Sequence, residues 1–511
     1  MNENFKTTIG LEIHVELKTK SKMFCDCQNP AALKDDIAER EPNQFTCPIC
    51  MGFPGVLPVA NQQAIDWTIL TGLALNCQIP EVAKFDRKHY FYPDLPKGFQ
   101  ISQYDRPFAR HGELKLKSQN EKLKIIRIRR VHLEEDAGKL IHPKVKNFSL
   151  VDLNRAGTPL MEIVTEPDLE SPAEAKMFIQ KLRQILRYLS VSDANMEKGH
   201  LRCDANIDVK KIQNSKLKSQ KSGNPILNNS KIHNLKPITY SMSPIVEIKN
   251  LNSFKFIEKA LLYEEQRLTD DFENWPEKPI KLTRGFDSKS GQTYQQRTKE
   301  EASDYRYFPE PDLPPFKFSA SQIGKIRETL PELPDQRVAR YLHDYKINQH
   351  DAENLASDVR LAEYFEEVVA EKVSAQKAAN WILTELLGKI NKSGEDFTEN
   401  KIKPADFAQL INKIETGEIS GKMAKEILEI MFKSGKSAEK VICELNLKVI
   451  SKDEELEEIA GDVIKNNPKV AEDFKSGKTQ ALQFLVGQIM RQTQGRANPT
   501  KIAEILTKKL K

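Results

Sequence analysis

Between residues 8 and 17 apolar and polar side chains alternate. Ile9, Leu11, Ile13, Val15 and Leu17 fall on one side of an extended chain, and Glu12, His14 and Glu16 on the other, because successive side chains of a strand point to opposite faces. The pattern predicts a strand with one face in a core. Residues 124–134 and 150–165 alternate in the same way or carry short apolar runs. They read as further strands in a region, up to about residue 318, punctuated by Pro and Gly turns. One helix interrupts that region. Ser171 suits its N-cap and Pro172 its first turn, and Met177, Ile179, Leu182, Ile185, Leu186 and Leu189 supply its apolar face. From residue 319 the period becomes helical, over 323–330, 356–371, 375–390 and 405–415, and the Gly/Ser/Lys stretch 433–437 reads as a joint before a last, smaller helical unit. No period of 20–50 residues repeats, which excludes a solenoid.

The length, 511 residues, suits about three domains. With 39% hydrophobic and 30% charged residues the chain is globular rather than disordered. No apolar run reaches the ~20 residues of a membrane span. The first residues form no signal or transit peptide pattern, and seven sparse cysteines suit a reducing, cytoplasmic setting. The 78 Lys and Arg nearly balance the 73 Asp and Glu, leaving a net charge of +5. That total hides an uneven distribution. The final stretch, 475–511, sets Lys475, Lys478, Arg491, Arg496, Lys501, Lys508, Lys509 and Lys511 against the single acid Glu504. Residues 210–246 contain seven lysines and no acid. They read as a flexible surface insertion or as a basic arm for RNA phosphates.

Several segments suit chemistry. Glu12, His14 and Glu16, in a row on a strand face, form either a solvated face or a metal platform. Carboxylates favour Mg²⁺ or Mn²⁺, and the imidazole tilts the choice toward Mn²⁺ or Zn²⁺. Three consecutive acids, Glu134, Glu135 and Asp136, end a second strand and suit a metal and phosphate site. Glu162 lies in an otherwise apolar strand, where a carboxylate is costly unless paired or metal-bound. Residues 84–97 mix cations with aromatics, a combination that holds phosphates while stacking a base or ribose, or that closes a core as an aromatic loop. Cys25-x-Cys27 and Cys47-Pro-Ile-Cys50 have the composition of a closed, structural zinc site, with a redox dithiol as the alternative. No arrangement for nucleophilic catalysis stands out.

Ile9-Gly10-Leu11-Glu12-Ile13-His14-Val15-Glu16-Leu17, Phe85-Asp86-Arg87-Lys88-His89-Tyr90-Phe91-Tyr92-Pro93-Asp94, His132-Leu133-Glu134-Glu135-Asp136-Ala137-Gly138-Lys139 and Asp304-Tyr305-Arg306-Tyr307-Phe308-Pro309 carry a resemblance to the B subunits of the aspartyl/glutamyl-tRNA amidotransferases. The likeness continues to the carboxy terminus, through Phe484-Leu485-Val486-Gly487-Gln488-Ile489-Met490. It implies an α+β protein: an antiparallel-sheet cradle over 1–318, with a zinc loop at 25–50 and the basic insertion at 210–246, then an all-α domain over 319–435 and a small helical YqeY-like tail over 436–511. It further implies a carbon–nitrogen ligase. The cradle would use ATP and Mg²⁺ to phosphorylate the side-chain carboxylate of Glu-tRNA(Gln) or Asp-tRNA(Asn). Ammonia channelled from an amidase-fold glutaminase subunit would then displace phosphate, and a small third subunit would complete a heterotrimer. Carried over residue by residue, the resemblance implies His14, Glu134 and Glu162 as Mg²⁺ ligands, with Glu12 beside them and Glu135 as the alternative to Glu134. It implies substrate or phosphate contacts at Arg87, Lys88, Tyr90 and Lys97, zinc at Cys25, Cys27, Cys47 and Cys50, and tRNA contacts at Lys475, Lys478, Arg491 and Arg496. The Cys27–Cys47 spacer and the insertion are both longer than the family's usual loops.

Overall fold

The structure, a computed structural model, describes residues 5–33, 41–117, 123–143, 147–212, 240–278, 280–298, 305–394, 397–445, 453–476, 480–493 and 499–510. They fall into two compact units, Met1–Pro331 and Glu332–Lys511. The expected α+β class holds: the sheets lie in the first unit and the second is helical.

The main sheet is built from β1 (Phe5–Glu16), β2 (Ala109–Lys117), β3 (Leu123–Glu135), β4 (Pro159–Thr165), β5 (Leu201–Ile212), β6 (Tyr240–Met242), β7 (Ile245–Leu251), β8 (Lys281–Asp287) and β9 (Gln292–Thr298). Their order is β9-β8-β7-β5-β1-β4-β3-β2, with β6 also on β5. All pairs are antiparallel except β7 with β8. The period-2 pattern of β1 does what it predicts: Ile9, Leu11, Ile13 and Val15 are almost wholly buried. Two helices, α1 (Pro172–Tyr188) and α2 (Phe254–Asp270), pack together on that apolar side, where Thr7 of β1 donates a 2.5 Å hydrogen bond to Glu265 of α2. Ser171 caps α1 by accepting from Glu174 N. The buried face of α1 carries Phe178 in place of the expected Met177, one position on, beside Ile179, Leu182, Ile185 and Leu186.

Four expectations change in detail. Residues 150–165 form two strands, Leu150–Asp152 and Pro159–Thr165, separated by a turn in which Gly157 takes φ +80, a conformation costly for other residues. The ends of the 210–246 insertion belong to the sheet. Lys210 and Lys211 pair with Lys6 and Phe5 of β1, and Tyr240–Met242 is a strand; residues 213–239 lie outside the described residues. The first unit continues past residue 318, because helix Ala320–Glu328 packs on helix Gln62–Ala74. Finally, 433–437 is a turn inside one core. Gly435 at φ +68 ends helix Gly421–Ser434, and Ser437 caps Ala438–Glu444, whose Ala438 and Val441 are buried with Leu428 and Met431.

Among the described residues of the second unit two hydrophobic clusters form. One spans Tyr341 to Val441 and the other Leu456 to Leu510. The expected helix over 356–371 is Val359–Ala370, capped by Asp358, and that over 405–415 is Pro404–Glu415. The 375–390 segment is a continuous helical run, Ala375–Asn380 then Leu387–Ser393, joined by a π-helical stretch, Trp381–Leu386. Among the described residues no helix is long and apolar enough to cross a membrane.

Candidate metal and phosphate centre

Strand register assembles the site. β1 pairs with β4 so that His14 stands opposite Glu162, and β4 pairs with β3 so that Glu162 stands opposite His132. Three adjacent strands thus place imidazole, carboxylate and imidazole in one row. His14 Nε2 lies 3.4 Å and His132 Nε2 3.3 Å from the same oxygen, Glu162 Oε2. One pleat away along β1, Glu12 lies 3.7 Å from His14, and one pleat away along β3, Glu134 lies 3.8 Å from His132. Two triads of donor atoms, Glu12–His14–Glu162 and His132–Glu134–Glu162, therefore share Glu162. Ser102 Oγ donates a 2.9 Å hydrogen bond to Glu134, and Arg130 approaches the other Glu162 oxygen at 3.8 Å.

Burial opposes every charge here, and proximity decides the outcome. Burial works against ionisation of Glu162, but His132 and His14 outweigh it and hold the carboxyl well below its ordinary range. Glu134 is also held low, against burial, by its hydrogen bond to His132 and by Lys88. Burial disfavours the His14 cation, yet Glu162, Glu134 and Glu12 raise it to about 9. His132 is raised by Glu162 and Glu134 against its burial, whereas Glu12 is pushed up by burial and by Glu162. The second nitrogen of His132, Nδ1, is buried without a hydrogen-bond partner. Converging carboxylates and imidazoles fit a divalent cation of the Mg²⁺ or Mn²⁺ kind.

The expected phosphate contacts separate into two groups. Lys88 and Arg87 are neighbours on the strand Asp86–His89 and point to opposite faces. Lys88 faces the cluster. Burial opposes its charge, but Glu134 and Glu162 raise its pKa, and its ammonium lies 5.1 Å from the Tyr305 ring centre. Arg87 is engaged elsewhere, with both Glu310 oxygens at 2.7 and 2.8 Å and Asp312 at 3.2 Å. Lys97 holds Glu135 at 2.5 and 2.6 Å, and the Ile101 N–H donates to the same carboxylate. Glu135 therefore turns away from the triads that Glu134 enters. Tyr90 is exposed beside Tyr92 and Tyr305. His132 is the residue that sequence reasoning left out of the ligand set. Its signal was available, two positions before Glu134 on the same strand face.

The four cysteines do converge. Cys50 Sγ lies 3.6, 3.8 and 3.9 Å from the sulfurs of Cys25, Cys47 and Cys27, and all four ligand atoms lie within 4.8 Å of one another. A hydrogen bond from Cys25 and the Lys22 ammonium lower the Cys50 thiol to about 4, while burial and the neighbouring sulfurs raise Cys27 to about 12. Four sulfurs at this separation, one already favouring the thiolate, fit a structural metal such as zinc. Of the tail cations, Lys475 and Arg491 are exposed in the last turns of helices Pro468–Lys475 and Gln480–Gln492. Lys478 and Arg496 lie outside the described residues.

An acid–histidine cluster carried by three strands, with a lysine facing it and a loop of four converging cysteines in the same unit, makes this an α+β protein with a candidate metal centre in its sheet unit and a helical second unit. The comparisons with known proteins agree. The GatB/GatE catalytic domain family matches residues 7–324, and the GatB domain family matches 363–510. The chain is 44% identical to the aspartyl/glutamyl-tRNA(Asn/Gln) amidotransferase B subunit of Persephonella marina, covering 99% of this chain and 100% of that one. It is 45% identical to that of Thermodesulfovibrio yellowstonii, over 99% of both chains, and 47% identical to that of Thermosipho melanesiensis, over 98% of both. The chain belongs to the family of aspartyl/glutamyl-tRNA(Asn/Gln) amidotransferase B subunits.

Proposed function

We propose that this chain is the carboxylate-activating subunit of a tRNA-dependent amidotransferase. The observation that carries the reading is the in-register row His14–Glu162–His132, flanked by Glu12 and Glu134 and faced by Lys88. A side-chain carboxylate is a poor acceptor for ammonia, and phosphorylation by ATP supplies a leaving group. Phosphoryl transfer asks the protein for positioning and charge neutralisation rather than for a nucleophile. His14, Glu134 and Glu162, with Glu12 and His132, would hold Mg²⁺, which when bound neutralises phosphate charge. Lys88 adds a fixed cation on the same side. Tyr90 is an exposed ring beside Tyr305, the ring that the Lys88 ammonium also approaches. Glu-tRNA(Gln) or Asp-tRNA(Asn) is the substrate class, and Gln-tRNA(Gln) or Asn-tRNA(Asn) the product. Ammonia would come from a glutaminase subunit of the amidase fold acting on glutamine, with a small third subunit completing the heterotrimer. We place the reaction in the cytoplasm, where reduced thiols persist.

Arg87 and Lys97 take positioning roles in this reading, through Glu310 and Glu135. The exposed cations Lys475 and Arg491 suit tRNA phosphates, as do Lys478 and Arg496 in the same basic stretch. A non-catalytic tRNA scaffold would need the tail and have no use for five metal-type donors converging from three adjacent strands. The test separates the two. In the assembled complex, His14→Ala or Glu134→Ala abolishes ATP-dependent amide formation while tRNA binding persists. Full activity in both variants leaves the scaffold.

A further inference from the structure

We propose that Lys22 is a positioning residue that couples the four-cysteine centre to the acid–histidine cluster, so that the state of the cysteines sets the cluster's affinity for its cation. The inference rests on the metal-site reading above.

Lys22 is fully buried, an unusual place for an ammonium. Its three N–H donors meet three acceptors: Phe45 O at 2.7 Å, Leu153 O at 3.2 Å and Cys50 Sγ at 3.5 Å. One of these is in the cysteine cluster, one in the loop between its cysteines, and one in the turn that leads into β4. The loop and the turn are further joined side to side. Asn43 donates through its backbone to Asp152 Oδ1 and through its side chain to Val151 O, and it accepts from Leu153 N. Asn154 accepts from Phe45 N and donates to Glu41 O.

The turn in its second half grips the end of β3. Arg155 donates to Ala137 O and Gly138 O, and it pairs with buried Asp136 at 3.3 Å. Gly157 N donates to Asp136 O, and Asp136 N to Thr158 O. Glu134 lies two residues before Asp136, and Glu162 four residues after Thr158. The turn therefore fixes the spacing between the two carboxylates of the His132–Glu134–Glu162 triad. A second link runs to the other flank. A Cβ on Gly52, just past Cys50, would stand 2.9 Å from the backbone nitrogen of Lys97, whose ammonium holds Glu135. The cysteine centre thus leans on both segments beside the cluster. Thiolates on a metal carry net negative charge, and Lys22 is the buried cation that ties this charge to the turn.

The experiment uses the assembled amidotransferase containing the full chain. It measures Mn²⁺ binding by electron paramagnetic resonance, zinc release with a chromophoric chelator, and the KM for mischarged tRNA. Lys22→Met should weaken Mn²⁺ binding about tenfold, as loss of a group that orients metal ligands does, speed zinc release, and leave the tRNA KM unchanged. Stripping zinc from the unaltered enzyme should weaken Mn²⁺ binding by the same factor, and stripping it from Lys22→Met should add nothing. Lys22→Arg should recover most of the affinity. Should Lys22→Met fold poorly, Asn43→Gly keeps the left-handed backbone (φ 60) and removes only the side-chain bonds to Val151 and Leu153. It should shift Mn²⁺ affinity in the same direction, by less. Unchanged Mn²⁺ binding in the folded variants and in zinc-stripped enzyme overturns the coupling. If the unaltered enzyme binds no Mn²⁺, the metal-site reading itself has failed, a distinguishable result.

Discussion

Replacing Glu162 with Gln keeps the shape of the side chain and removes one charge. That charge has two close partners, His14 Nε2 at 3.4 Å and His132 Nε2 at 3.3 Å. Burial alone would depress His14, and its rise to about 9 starts with its hydrogen bond and charge interaction with Glu162. In Glu162→Gln only Glu134 and Glu12 still oppose burial, and the imidazole returns toward its ordinary 6.5. A fall of that size is about 3 kcal/mol of lost interaction, at ~1.4 kcal/mol per pH unit. A divalent ion at the same oxygen carries twice the charge of an imidazolium, so the loss in cation affinity is at least comparable, roughly 100-fold. Two measurements follow. Histidine-selective NMR titration of the metal-free protein should show His14 titrating near 9 in the unaltered chain and lower, toward 6.5, in the variant. Mn²⁺ titration should show the roughly 100-fold weakening. If His14 still titrates near 9 and Mn²⁺ binds as before, Glu162 does not organise the cluster.

His132→Asn should weaken Mn²⁺ binding in the same assay, since it removes one of the three donors of its triad; unchanged binding would return His132 to a purely structural role. Arg87→Met should destabilise the chain by about 3 kcal/mol, because it strands the buried Glu310 carboxylate, whereas Lys88→Met should lower turnover with a smaller loss of thermal stability. Lys475→Glu with Arg491→Glu should weaken tRNA binding and flatten the slope of log affinity against log salt by about one for each phosphate no longer neutralised. Charge reversal is a cleaner test than deleting 475–511, which would remove Leu485, Ile489, Ile502 and Leu506 from a core. Hydrogen bonds from Arg340 hold Glu332 below its ordinary 4.5. A depressed folded pKa stabilises above the unfolded value and is lost on acidification, so the melting difference between unaltered protein and Glu332→Gln should be full at pH 7 and shrink as pH falls below about 4.5.

Local periodicity made β1 legible. It placed Glu12 and His14 on one face because a strand alternates whatever surrounds it, and the cysteine cluster was legible from spacing for a similar reason. The partnership of His14 with Glu162 was not, since it depends on a register between strands about 150 positions apart. Arg87 and Lys97 show the converse. As sequence they are cations among aromatics and suit phosphate, but Arg87 pairs with Glu310, 223 positions away, and Lys97 with Glu135. No local pattern announces such partners. The resemblance identified the family and pointed to His14, Glu134 and Glu162, while the geometry sets His132 beside them and pairs Glu135 with Lys97. The joint expected at 433–437 had the composition of a linker, and only the burial of Ala438 and Val441 in the preceding core shows it to be a turn.

Trapping with hydroxylamine tests the central claim most directly. The assembled enzyme is given ATP, Mg²⁺ and Glu-tRNA(Gln) without an ammonia source, and hydroxylamine intercepts any activated side chain. The account predicts a glutamyl γ-hydroxamate formed with one ADP each by the unaltered enzyme, and its loss in Glu162→Gln. Hydroxamate formed equally well by Glu162→Gln, or no hydroxamate trapped from an unaltered enzyme that makes amide once ammonia is supplied, would contradict it.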